Sequence, residues 1–186
     1  MKKRVLCIII TVSIIMALFS GCNGLFNDRA YNDKTEEYSV YSNTVETVEN
    51  ITWPSFIIKD VFVSSDSKEA SVIVSVQNNP GIAGALLRIY YDDRLTLDSA
   101  QPGNAFSDLD YMPPGKMQNP CNFSWDSESA VADEDGAVLV LHFKLPDKPL
   151  TGDSFEVCCS FRDEDVYDTN LNNVAISEAE GKIVVK

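Results

Sequence analysis

From Trp53 to Lys186 the chain is written in short apolar runs, each closed by a turn signal, and no stretch holds a helical period. In "EASVIVSVQ", Ala70, Val72, Val74 and Val76 share one face; in "AVLVLHFKLP", Ala137, Leu139, Leu141, Phe143 and Leu145 do the same. Side chains alternate across a strand, so this period predicts strands with one buried face. The runs are punctuated by "NNPG", Pro102-Gly103, Pro113-Pro114-Gly115, "DEDG" and "LTGD", residues that favour turn conformations. Nine strands follow: "FIIKDVFV", "EASVIVSVQ", "ALLRIYY", "DDRLTLDSA", "CNFSWDS", "AVLVLHFKLP", "SFEVCCSF", "VAIS" and "KIVV". Strands at this spacing with no helix between them predict an all-β sandwich or barrel.

The N-terminus follows other rules. "MKKR" is a basic start, "VLCIIITVSIIMALFS" is apolar, and Ser20-Gly21 are small. The apolar run falls short of the roughly 20 residues a spanning helix needs. It has the form of an export signal over residues 1–21. Cys22 comes next, and "LFSGC" resembles a bacterial lipobox, with Phe19 where Leu is favoured. The expectation is cleavage before Cys22 and a lipid on its sulfur, anchoring an exported protein to the outer face of the bacterial cell membrane. Residues 22–52 are then a lipidated cysteine and a polar tether. A flexible chain of that length spans roughly 30 Å. The domain is 53–186.

Charge narrows the partners. The chain has 15 Lys and Arg against 28 Asp and Glu, and three of the cations are Lys2, Lys3 and Arg4 of the leader. Such an acidic chain is unsuited to nucleic acid, which rewards basic surfaces. No catalytic or cofactor spacing stands out. The one histidine, His142, sits mid-strand without a nucleophile at a known spacing. The acidic run "RDEDVYDTNLNN" lacks the central Gly of a calcium-binding EF-hand loop and reads as a solvated connection. Asp133 and Asp135 sit in a turn, where such residues serve the backbone. Asn50-Ile51-Thr52 and Asn122-Phe123-Ser124 match glycosylation sequons, which in a bacterial lipoprotein are chance matches. Cys121, Cys158 and Cys159 allow either a disulfide from Cys121 to one of the pair or buried free thiols, with at most one of the strand neighbours Cys158 and Cys159 in the core. No metal site and no cofactor are expected, and the chain is read as a non-enzyme.

One strand asks for a partner. In "ALLRIYY", Ala85, Leu87, Ile89 and Tyr91 belong to a core, which leaves Leu86, Arg88 and Tyr90 facing out. An outward Leu and Tyr need something to cover them.

The stretch "NNPGIAGALLRIYYDDRLTL" resembles the third-strand region of cohesin domains, which read N-x-P-G-I-A and then Y-D-x-x-L-x-L. "FSWDS…DEDGAVLVLHFKL…TGDSFEV" is similar to their fifth to seventh strands, and "AEGKIVV" to their last. The resemblance implies a nine-stranded jelly-roll sandwich. It also implies non-catalytic binding of a dockerin, the calcium-loaded module of cellulosomal enzymes and scaffoldins, on the sheet of strands 8, 3, 6 and 5. Polysaccharide would then be met only through the partner.

The family's polar third-strand contacts fall on Gly84 and Leu86, where many cohesins have Asn and Asp. The face expected from the resemblance comprises Gly84, Leu86, Arg88 and Tyr90 from the third strand, Ser124 and Asp126 from the fifth, and Val138, Val140 and His142 from the sixth. Its apolar middle and polar rim have the form of an interface. The long loop 101–120 is the candidate for covering part of it. Two other readings compete. A carbohydrate-binding module would need a flat row of exposed aromatics; Tyr90, Tyr111 and Trp125 are the ones on offer, but Trp125 is expected to point inward and the others form no row in the sequence. A structural envelope lipoprotein would bind neither.

Overall fold

The structure is a computed structural model, and it describes residues 51–186. The residues read as an export signal (1–21), Cys22 and the expected tether up to Asn50 lie outside the described residues. Eleven strands and no helix make up the described part: β1 (Ser55–Ile58), β2 (Val61–Val63), β3 (Glu69–Gln77), β4 (Gly84–Tyr91), β5 (Thr96–Pro102), β6 (Asp110–Met112), β7 (Cys121–Asp126), β8 (Gly136–Lys144), β9 (Ser154–Ser160), β10 (Val166–Tyr167) and β11 (Ala179–Val185).

They form two sheets. One has the order β1-β3-β8-β5; the other runs β2-β11-β9-β4-β7-β6, with β10 also paired to β4. The inner faces meet in a single core. Val72, Val74, Leu139, Leu141 and Phe143 supply it from the first sheet; Leu87, Ile89, Phe123, Trp125, Phe155, Val157 and Ile183 supply it from the second. Phe106 packs edge-on against Trp125 at 5.5 Å and against Phe56 at 6.5 Å, closing one end. Apolar side chains excluded from water on both inner faces hold the layers together.

The strand count differs from the nine expected, for local reasons. "FIIKDVFV" splits at Lys59-Asp60 and serves both sheets as β1 and β2. The loop 101–120 contributes β6, and the acidic run contributes β10. "VAIS" is no strand of its own. Gly181 lies inside β11 instead of at a turn: a Cβ there would come within 2.6 Å of Ile58 Cγ2 and 2.7 Å of the Ile58 carbonyl oxygen. A glycine in a strand often marks such a close approach. Gly81, by contrast, is the turn that "NNPG" promised, at φ +95°.

Cys121, Cys158 and Cys159 are free. Ile89 pairs with Cys121 of β7 on one side and with Cys159 of β9 on the other. Two strand spacings separate these cysteines by about 9–10 Å, beyond the roughly 7 Å that a disulfide tolerates between α-carbons. Cys158 faces the opposite side of the sheet from both.

Candidate partner-binding sheet

Strand β4 lies near the middle of the larger sheet. Its inward residues are Ala85, Leu87 and Ile89, all in the core, and Tyr91 packs edge-on against Phe143 at 5.2 Å. Gly84, Leu86, Arg88 and Tyr90 therefore face outward, as the alternation required. Tyr90 is 43% exposed and Leu86 is half-buried.

Register places their neighbours. Leu86 pairs with Ser124 on β7, and Ser124 pairs with Met112 on β6. Arg88 sits between Asn122 and Ser160, while Tyr90 pairs with Cys158, which pairs in turn with Glu180. Gly84 pairs with Asp126, itself opposite Asp110. The face thus carries Leu86 and Tyr90 on its central strand β4, with the paired Arg88 between them, and Met112 on its edge strand β6, with Ser124 between Met112 and Leu86; Asp110, Asp126 and Glu180 add acidic groups. Met112 is exposed, and sequence reading missed it because it lies in what read as a loop.

The sixth-strand residues are elsewhere. β8 has β3 on one edge and β5 on the other, so it belongs to the opposite sheet. Val138, Val140 and His142 cannot share a face with Leu86. Val138 is fully buried in the core, because a bulge opposite Val74 and Ser75 turns Val138 inward beside Leu139. Val140, only 3% exposed, and half-buried His142 are on the other side of the smaller sheet from its core face, paired with Ile73 and Ser71 respectively; Ser71 Oγ and His142 Nδ1 lie 2.9 Å apart. Alternation tells which residues of a strand point together, not which sheet the strand joins.

A second element reaches this face. Residues 162–174 form a hairpin: Tyr167 bridges Asn173, and Val174 N–H donates to the Val166 carbonyl at 2.8 Å. Val166 is buried in the core, and the Leu86 N–H donates to the Asp165 carbonyl at 2.8 Å. The acidic run is therefore an ordered part of the sheet. At its far end the Asp168 carboxylate accepts from the N–H groups of Asn170 and Asn172, at 2.8 and 2.9 Å.

Two of its side chains engage the predicted site. Arg88 donates to the Asp165 carboxylate in an ion pair with both side chains mostly out of solvent. Burial alone would raise the Asp165 carboxyl. The Arg88 hydrogen bond, the Arg162 N–H at 2.6 Å and the charges of both arginines outweigh it and hold the group below its ordinary value. Tyr167 covers Gly84: a Cβ on residue 84 would lie 2.1 Å from the ring Cζ. The Tyr167 hydroxyl donates to Asp126 Oδ1 at 2.8 Å. Burial, then the bond to Asp126 and its negative charge, push the phenol above its ordinary value. A glycine inside a strand pattern was the one sequence signal for this close approach.

The loop 101–120 does not lie over the face. Ala105, Phe106 and Leu109 turn into the core, and β6 lies beside β7 as an edge strand. Trp125 points inward as expected, 2% exposed, and Tyr111 packs against it at 5.3 Å on the core side, so these aromatics offer no exposed row for sugar. Among the described residues no group of three or more His, Cys, Asp or Glu could hold a metal ion, and no helix is long and apolar enough to cross a membrane.

No family model and no curated protein matches the chain. Solved structures do. A non-cellulosomal cohesin from the archaeon Archaeoglobus fulgidus superposes with a TM-score of 0.60 at 14% identity, covering 72% of this chain and 91% of that one. The third cohesin ScaC of Acetivibrio cellulolyticus, in complex with the ScaB dockerin, gives 0.61 at 19% identity over 71% and 98%. A type III cohesin from the ScaE cell-surface anchoring scaffoldin of Ruminococcus flavefaciens gives 0.59 at 18% identity over 72% and 88%. Two packed sheets, the outward face of β4 and these superpositions agree: the described residues have the cohesin fold.

Proposed function

We propose that this chain is a non-catalytic binding module whose larger sheet receives a dockerin, and that a lipid on Cys22 holds it at the cell surface. One observation carries the first part. The strand that the resemblance named as the docking strand has its inner face in the core, while its outer face presents Leu86 and exposed Tyr90, with exposed Met112 two strands away on the same face. Leu86, Tyr90 and Met112 interspersed with Arg88, Ser124 and Asp126 give the mixed apolar and polar surface of a non-obligate protein interface. A standard interface takes about 800 Å² from each partner, which a face of several strands can supply. Solved cohesins of this fold occur in complex with dockerins. The lipid part rests on the sequence "LFSGC".

The test is a pull-down from culture supernatant with the chain as bait. Dockerin-bearing proteins are recovered in calcium and lost in chelator, because the metal folds the dockerin. Recovery of no dockerin-bearing protein overturns the reading.

A further inference from the structure

Gly84 is the position where the resemblance places a polar side chain of the docking strand, and here that position has none. The space is filled from elsewhere in the chain. The Tyr167 ring stands where the Cβ of residue 84 would be, and its hydroxyl is spent on Asp126 Oδ1. β10 fixes the ring, since Tyr167 pairs with Gly84 and its carbonyl accepts from the Ala83 N–H at 2.8 Å. The one cation on β4, Arg88, is held by Asp165. Asp126 itself is exposed and keeps Oδ2 for another bond.

We propose that Tyr167 and Asp126 together form a specificity-determining contact of the docking sheet, and that it selects a partner presenting a hydrogen-bond donor at this point. The proposal rests on the dockerin reading. The phenol proton is already donated, so the phenol oxygen and Asp126 Oδ2 offer acceptors only. A Lys, Arg or hydroxyl on the partner satisfies them, and a cation does so with a charge-assisted bond. A partner with a carboxylate or carbonyl there meets repulsion, which is how an interface rejects the wrong ligand. An Asn at residue 84 would offer both donors and acceptors and would discriminate less.

The experiment uses the full chain in detergent and, as probes, calcium-loaded dockerins from the same genome, measured singly by biolayer interferometry at low and moderate salt. Asp126→Asn turns one acceptor into a donor while keeping its shape. Tyr167→Phe keeps the ring over Gly84 and removes the hydroxyl. Asp98→Asn, on the smaller sheet beside Lys144, is the control. For the best-binding dockerin, Asp126→Asn weakens affinity about tenfold, the scale of one charge-assisted bond, and flattens its salt dependence. Tyr167→Phe weakens it severalfold, and the control binds as wild type, all three with unchanged melting temperature. Wild-type binding combined with full affinity in both Asp126→Asn and Tyr167→Phe overturns this contact and leaves the dockerin reading standing. Wild type binding no dockerin overturns both.

Discussion

Leu86 and Leu87 are adjacent in β4 and belong to opposite sides of the sheet: Leu87 is completely buried, while Leu86 is half-buried on the outer face. The pair gives a stability prediction. Leu87→Ala opens a cavity in a close-packed core and costs about 2–5 kcal/mol. Leu86→Ser loses part of a surface contact and costs about 1 kcal/mol or less. Urea denaturation of both variants checks the difference.

The Arg88–Asp165 ion pair ties the hairpin to β4 and makes its hold depend on pH. The Asp165 carboxyl is lowered in the folded chain, so the stability it adds is complete above the ordinary carboxylate value of about 4. That stability is lost as pH falls through the lowered folded value. Asp165→Asn removes this acid-side loss. It also costs about 1–3 kcal/mol at neutral pH, because a largely buried guanidinium loses its charged acceptor. Thermal melts from pH 3 to 7 show a smaller pH dependence in the variant than in wild type.

Free thiols on opposite faces have different reactivities. Cys158 looks outward beside Tyr90, whereas Cys121 and Cys159 are buried. Burial, then the charges of Glu180, Glu156 and Glu178, raise the Cys158 thiol; burial raises Cys121 and moves Cys159 far higher. In the native protein an alkylating reagent labels Cys158 first, slowly, and faster as pH rises, since the thiolate is the reacting form. Cys121 and Cys159 react only on unfolding. Peptide mapping after timed alkylation reads the order.

The lipid anchor is tested at one atom. Cys22→Ala releases the protein from the membrane fraction into the medium, and mass spectrometry of wild type finds the mature N-terminus at a lipidated Cys22. A single acyl chain holds a membrane only marginally, so a stable anchor at Cys22 requires more than one. An unmodified N-terminus elsewhere, with the protein free in the medium, contradicts the anchor.

Much of the fold was legible because alternation is a local property. Ala85, Leu87 and Ile89 against Leu86, Arg88 and Tyr90 could be sorted from seven residues, and Phe123 and Trp125 against Ser124 and Asp126 likewise. What failed was long-range. The resemblance sets Val138, Val140 and His142 beside Leu86, yet β8 pairs with β3 and β5. Strand pairing joins segments far apart in sequence, and no pattern within one strand encodes its neighbours. Val138 failed for a further reason, since a bulge breaks the period of two. The hairpin of Asp165 and Tyr167 was hidden by composition. Its charged residues read as a solvated connection, although Val166 among them is in the core.

The central claim is that the outer face of the larger sheet is the docking face, and one measurement tests it most directly. Affinity for the best-binding calcium-loaded dockerin is measured for wild type and for the double variant Leu86→Ser/Tyr90→Ser, with circular dichroism confirming the fold. Central apolar anchors commonly cost about 2 kcal/mol or more each, so the account predicts a loss approaching a thousandfold in a folded domain. A folded double variant that binds as tightly as wild type contradicts it.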